Sequence, residues 1–257
     1  MQPVQPTAVG RKILEQAKRI VHEASLVKGI VNEEEQSLKG IFTLAVLPTI
    51  APYLLPHFFP QLRTKYPELD VRVVEMKTDE CLTSLAAGSV DAAILATVVE
   101  DKLLQSTVLY YEQFFGYVSR NEPLFKKNLI RTADINGERL WLLDEGHCFR
   151  DQLMRFCQME AVKIHQASYH LGSMETFMRM VESGMGITFI PELALLQLSD
   201  EQKELVRPFA VPKPTRQISL VTRTDFVRFS VTTLLRETIR KSVPKETLTL
   251  DGTQRVV

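Results

Sequence analysis

Ile41-Phe42-Thr43-Leu44-Ala45-Val46-Leu47-Pro48-Thr49-Ile50-Ala51-Pro52-Tyr53-Leu54-Leu55-Pro56-His57-Phe58-Phe59-Pro60 is a near-continuous apolar run, and its reading decides between a membrane protein and an α/β one. Its length is about that of a membrane span. It carries four prolines, however, and reads as a strand over 41–47 that ends at Pro48, followed by a proline-punctuated helix. A membrane span is rejected on that ground.

Outward from this stretch the chain alternates strand and helix. The helix runs to Tyr66 and stops at Pro67; a strand over 69–76, a short helix over 79–87 ended by Gly88, and a strand over 92–96 follow. This βαβαβ rhythm predicts a parallel sheet with right-handed crossovers. Residues 103–118 read as a long extended pair of strands leading out of the first unit. A second unit repeats the rhythm: a short helix near 132–135, strands at 139–143 and near 166–170 around a helix at about 150–160, then a helix capped by Ser173 through Glu182. Gly184 and Gly186 end that helix, and a strand over 187–190 closes at Pro191. After a turn near 211–214, a strand over 217–222 and a helix over 226–241 return to the first unit. The expectation is a Rossmann-like pair of α/β lobes, joined by crossings near Tyr111 and Gln217. The limits are 39–111 with 217–245 for one lobe and 112–216 for the other.

Before them, 9–36 is helical, with Ile13, Ala17, Ile20, Ala24, Val27 and Val31 at three- and four-residue steps. Such a narrow stripe either seeks a partner helix or packs on its own domain. Residues 1–38 are set apart as this N-terminal helix, which the resemblance given below implies is a linker helix with its junction.

Composition bounds the function. The 31 Lys and Arg against 31 Asp and Glu argue against a nucleic-acid-binding surface within this chain. Three cysteines in no regular pattern make neither a secreted disulfide scaffold nor a zinc site. No metal and no cofactor are expected, and with no signal peptide at its start the chain belongs in the reducing cytoplasm.

Asp144-Glu145-Gly146-His147-Cys148-Phe149-Arg150-Asp151-Gln152-Leu153-Met154-Arg155-Phe156-Cys157 holds two of the three cysteines. Cys148 falls where a Gly-containing loop enters a helix, so the positive end of the helix dipole, with His147 and Arg150, favours its thiolate. If the segment is one helix, the nine steps to Cys157 put the two on opposite faces with Cα atoms roughly 13 Å apart. A disulfide needs less than about 7 Å, so bonding would require the helix to unwind. The alternative is that both are ordinary buried thiols. In open α/β sheets ligands bind beyond the carboxyl ends of the strands. Thr49, Thr78 and Ser173 all fall on loops predicted to meet there, although each also suits a simple helix N-cap.

These residues carry a family resemblance. Residues 4–17 resemble the junction of a winged helix-turn-helix domain with the linker helix of a LysR-type transcriptional regulator. The remainder, including Gly172-Ser173-Met174-Glu175-Thr176 and Gly184-Met185-Gly186-Ile187, resembles that family's two-lobed, periplasmic-binding-protein-like effector domain. Residues 47–56, and 146–152 with Cys157 at the matching distance, are similar to its peroxide-sensing branch. The resemblance implies a peroxide-sensing Cys148, a resolving Cys157, and a hydrogen peroxide pocket lined or supported by Thr49, Thr78, His147, Arg150 and Asp151, with Arg216 near the thiol. It implies a transcription factor and not an enzyme, a homodimer of regulatory domains that is a homotetramer at full length, and resetting by a glutathione-linked or other thiol reductant. DNA, with RNA polymerase as a further partner, would be met through an N-terminal domain that this chain is expected to lack. Phe149 departs from the leucine, and Ala51 from the glycine, of many relatives. The competing reading is a regulator or solute-binding domain in which the same cleft holds a small organic ligand and the cysteines are incidental.

Overall fold

The computed structural model describes residues 5–34, 38–135, 139–143, 147–157 and 173–257. The predicted strand at 166–170, and Gly146 and Gly172 of the quoted motifs, lie outside them.

The first unit follows the sequence. β1 (Gly40–Val46) pairs in parallel with β2 (Leu69–Glu75) and β3 (Ala92–Leu95), with α2 (Ala51–Lys65) and α3 (Thr78–Ala86) as the crossovers. α2 tolerates Pro56 and Pro60 in its interior because they share an exposed face with Pro52, while Tyr53, Leu54, Phe58 and Leu62 are buried. An interior proline deletes the bond to the carbonyl four residues back. The Pro52 carbonyl is instead satisfied by Gln197 Nε2 at 3.0 Å. Among the described residues no helix is long and apolar enough to cross a membrane.

Beyond the first unit the pairings become antiparallel. β4 (Leu104–Val118) is one strand, where a pair was expected, with a register shift between Val108 and Tyr110. Its first part pairs with β7 (Lys213–Arg223), which also pairs antiparallel with β3; its last part pairs with β5 (Ile187–Pro191) and β6 (Val206–Pro208). The order is β2-β1-β3-β7-β4-β5. Tyr111 and Gln217, the expected crossings, are register partners in this ladder. The predicted strand at 139–143 reduces to one bridge, Leu140 to Ile187. Gly186, at φ +72°, brings the chain so close to the Arg139 carbonyl that a Cβ there would lie 2.6 Å from it, a distance only glycine allows.

The flanking helices are α4 (Cys148–Phe156), α5 (Met174–Glu182), α6 (Asp200–Lys203) and α7 (Phe229–Ser242), and a short β8 (Gln254–Val256) runs parallel to β7. Ser173 caps α5 as predicted, accepting from Thr176 N at 3.1 Å. In the first turn of α5, Glu175 accepts the Tyr53 hydroxyl of α2 at 2.8 Å.

Among its described side chains, the N-terminal helix α1 (Ala8–Glu34) docks by its last turns, with Glu23 farther back within electrostatic reach of Arg223. Glu33 accepts from Ser230 N at 3.0 Å and Ser230 Oγ at 2.9 Å, capping α7, and Gly29 closes against Val227. Arg228 fixes the exit into β1 through the carbonyls of Lys39 and Ile41, each at 2.6 Å. The predicted stripe is not used in this docking, since Ile13, Ile20, Val27 and Val31 are exposed.

Candidate redox site

The ends of β1, β2 and β3 lie side by side: Leu47 N donates to Ile94 O and Met76 N to Val46 O. Thr49, Thr78 and Ala96 follow those three ends. α4 is tied to the third, because Gln152 Nε2 donates to Ala96 O at 2.6 Å. The thiol helix therefore sits at the carboxyl side of the parallel strands, where such sheets bind ligands.

Cys148 is the first residue of α4, half-buried behind the N-cap His147, and Cys157 is its buried C-cap. Both are free thiols. Burial pushes Cys157 up to about 12. Cys81, buried in α3, is also pushed up to about 12, by burial first, then by Glu80 and by the charge of Cys148 itself. Both thiols therefore keep their protons at neutral pH, and the start of α3 lies within electrostatic reach of Cys148.

Neither threonine is an N-cap. Ile50 and Lys77 hold the cap positions, so the ordinary explanation for Thr49 and Thr78 fails. Thr78 is the first residue of α3, and its buried Oγ1 has no hydrogen-bond partner. Gln152 Oε1, one helical turn beyond Cys148, is likewise buried without a partner. An unsatisfied buried polar atom costs about 1–3 kcal/mol. Gln152 stands in the helix that begins with Cys148, and Thr78 begins the helix whose Cys81 feels the charge of Cys148.

Thr49, 3% exposed, is held by Arg216, whose Nη1 donates to Thr49 Oγ1 at 3.1 Å and whose Nη2 donates to Thr49 O at 2.9 Å. Arg216 lies inside β7, which begins three residues before it and not just after it as predicted. Its charge is met by Glu112 of β4, its register partner, at 2.8 Å, both side chains being 1% exposed. The guanidinium stands 5.1 Å from the centre of the Phe149 ring, and Phe149 packs edge-on against Phe114 at 4.9 Å. Arg216 thus touches the reactive helix through Phe149. His147 and Arg150 are half-buried beside Cys148, whereas Asp151 is exposed on the first turn of α4.

Residues 35–244 match the LysR substrate binding domain family. Over 217 residues the chain is 32% identical to the hydrogen peroxide-inducible genes activator of Haemophilus influenzae, covering 84% of this chain and 72% of that one. It is equally 32% identical to the DNA-binding transcriptional dual regulator OxyR of Escherichia coli, covering 84% and 71%. The chain belongs to the OxyR family of LysR-type regulators. Its fold agrees: the reduced OxyR of Porphyromonas gingivalis superimposes with TM-score 0.77 at 51% identity, over 84% of this chain and all of that one. An OxyR mutant from the same organism gives 0.81 at 51%, over 85% and 100%. Within this OxyR-family chain, residues 47–56 and the described part of 146–152 are linked through Arg216, which bonds Thr49 and stands over the Phe149 ring. Sequence reasoning passed over Gln152, although its place four residues after Cys148 puts it on the same helix face. It also passed over Glu112, whose signal was a lone acid in the apolar run 108–118.

Proposed function

We propose that the chain is the regulatory part of a peroxide-responsive transcription factor in which Cys148 is the sensing thiol and Cys157 the resolving one. The observation that carries this is the placing of two free thiols at opposite ends of one helix, the first half-buried one turn before the unpartnered Gln152 Oε1, the second buried and protonated. The Cys148 thiolate attacks one oxygen of hydrogen peroxide, forming the S–O bond as the O–O bond breaks. The leaving hydroxide takes a proton and departs as water. Thr49 and Thr78 hold the two oxygens in line and donate as charge develops, with Gln152 Oε1 accepting the remaining hydroxyl. Cys157 then attacks the sulfenic sulfur, and the disulfide forms with loss of a second water.

That second step cannot occur within α4, whose ends stand roughly 13 Å apart. The helix unwinds, freeing Cys157 from the burial that keeps it protonated. His147 and Arg150 attend the thiolate, and Asp151 serves from the rim. Peroxide is thereby converted into a stored conformer and not into repeated turnover, so the chain acts as a switch, not an enzyme. A glutathione-linked or other thiol reductant resets it in the cytoplasm. We place residues 1–38 as the linker, 39–111 with 217–245 as one lobe and 112–216 as the redox lobe. The exposed stripe of α1 is suited to a second copy, in keeping with a homodimer that becomes a homotetramer at full length. DNA and RNA polymerase are met by the full-length protein.

Intact mass with peptide mapping before and after one equivalent of hydrogen peroxide tests the reading. The expected product has lost two hydrogens and links the peptides of Cys148 and Cys157. Oxidation that begins at Cys81, or none at all, overturns it.

A further inference from the structure

We propose that Glu112 is a positioning residue for the peroxide reaction: by holding the Arg216 guanidinium on Thr49, it fixes the Thr49 hydroxyl as a hydrogen-bond donor. This rests on the function proposed above. A threonine hydroxyl has one proton and two lone pairs, and a guanidinium can only donate. With Arg216 Nη1 filling a lone pair of Thr49 Oγ1 at 3.1 Å, the hydroxyl proton is left for an acceptor in the cleft. A second bond, from Nη2 to Thr49 O, keeps the threonine from turning away. Peroxide reduction needs a donor for the departing oxygen, and this is the state in which Thr49 supplies one.

Arg216 holds that orientation because Glu112 grips it. Glu112 Oε2 accepts from Arg216 Nε at 2.9 Å and stands 2.8 Å from Nη2 as an ion pair, holding the guanidinium in place. Glu112 Oε1 accepts from Leu193 N at 3.1 Å, which stops the carboxylate from rotating. At 1% exposure for both partners, water does not replace the grip. Deprived of the carboxylate, the Arg216 charge would be buried without its partner and its hold on Thr49 would loosen.

The competing account is that the pair merely staples β4 to β7. A double-mutant cycle on the chain 1–257 separates the two, reading the rate of Cys148 oxidation by hydrogen peroxide against its rate of alkylation by N-ethylmaleimide. Glu112→Gln should lower the ratio of peroxide to maleimide rates about tenfold, the scale of one lost charge-assisted bond in the transition state. Glu112→Asp should recover part of it, and Glu112→Gln with Thr49→Val should be no slower than Thr49→Val alone. Effects that multiply, or a Glu112→Gln protein that slows both reagents equally or neither, overturn the proposal. Should Glu112→Gln not fold, the same cycle with Glu112→Asp should show a smaller loss, about threefold, again absent in the Thr49→Val background; no loss, or one that persists there, overturns it. If Thr49→Val itself leaves the peroxide rate at the wild-type level, the role given to Thr49 fails first. That pattern is distinct from a slow Thr49→Val beside a silent Glu112→Gln.

Discussion

Replacing Phe149 by alanine should loosen α4 before any oxidant arrives. The ring is 3% exposed, packs on Phe114 at 4.9 Å and lies under Arg216 at 5.1 Å. Truncating a buried phenylalanine costs about 3–5 kcal/mol. These contacts are lost when α4 leaves its seat, so most of that cost falls on the docked helix. At about 3 kcal/mol the opened state becomes roughly 100-fold more populated. Hydrogen exchange on the reduced protein reads this through amides such as Arg150 and Cys157, which close the helix at its two ends through His147 O and Leu153 O. They should exchange roughly 100-fold faster while amides of α2 keep their protection. Cys157 should become alkylatable by a similar factor, since burial is what shields it. Phe149→Leu, a smaller loss of about 1 kcal/mol, should give less than tenfold. If α4 exchanges as in wild type and Cys157 stays closed in Phe149→Ala, the helix is held elsewhere, by Leu153 or the Gln152 bond to Ala96, and the weight placed on Phe149 is wrong.

Thr78→Val should slow oxidation by hydrogen peroxide at least about tenfold while leaving thermal stability unchanged or higher, since it removes a buried hydroxyl that has no partner; a fall in melting temperature would show that the hydroxyl is satisfied. Cys157→Ser should still give a sulfenic acid at Cys148, trapped by dimedone and detected by mass, but without the change in exchange along α4, and a full wild-type change would mean that unwinding does not need the disulfide. Alkaline stability gives a further check. A thiol raised from about 9 to about 12 on folding keeps its proton in the folded state while the unfolded chain loses it. Its contribution is therefore full below about pH 9 and is lost as pH rises toward 12. Cys157→Ala should flatten the decline of the urea midpoint between about pH 9 and 11 relative to wild type, and parallel curves would refute the burial argument.

The parallel unit was legible because each element announced its end: Pro48, Pro67 and Gly88 sit where strand or helix stops. α5 was legible for the same reason, through Ser173 and Gly184. β4 was not, since a bulge at Val108 and Tyr110 mimics the break between two strands. β7 was read too short because Arg216 looks like a loop charge until Glu112 is seen opposite it. Cys148, His147, Arg150 and Asp151 are neighbours in sequence and were found together. The long-range pairings were not, and only the resemblance put Thr49 and Arg216 at one pocket: Glu112 meets Arg216 across 104 residues, Arg216 meets Thr49 across 167, and Gln152 meets Ala96 across 56. Nothing local in a chain signals such pairings. The readable trace was indirect, an acid or an amide stranded in an apolar face and in need of company.

The ladder between β4 and β7 runs from Leu104 opposite Arg223 to Gln113 opposite Thr215, past Tyr111 and Gln217, the proposed crossings between lobes. Two lobes spliced by a continuous ribbon of this kind resist closing like a clamshell, because bending at Tyr111 and Gln217 would shear backbone bonds on both sides. Scattering curves of reduced and oxidised protein should therefore keep the same lobe angle. On the function proposed above, the signal would leave the thiol as a change in surface shape around α4, and its receiver would be whatever surface rests there.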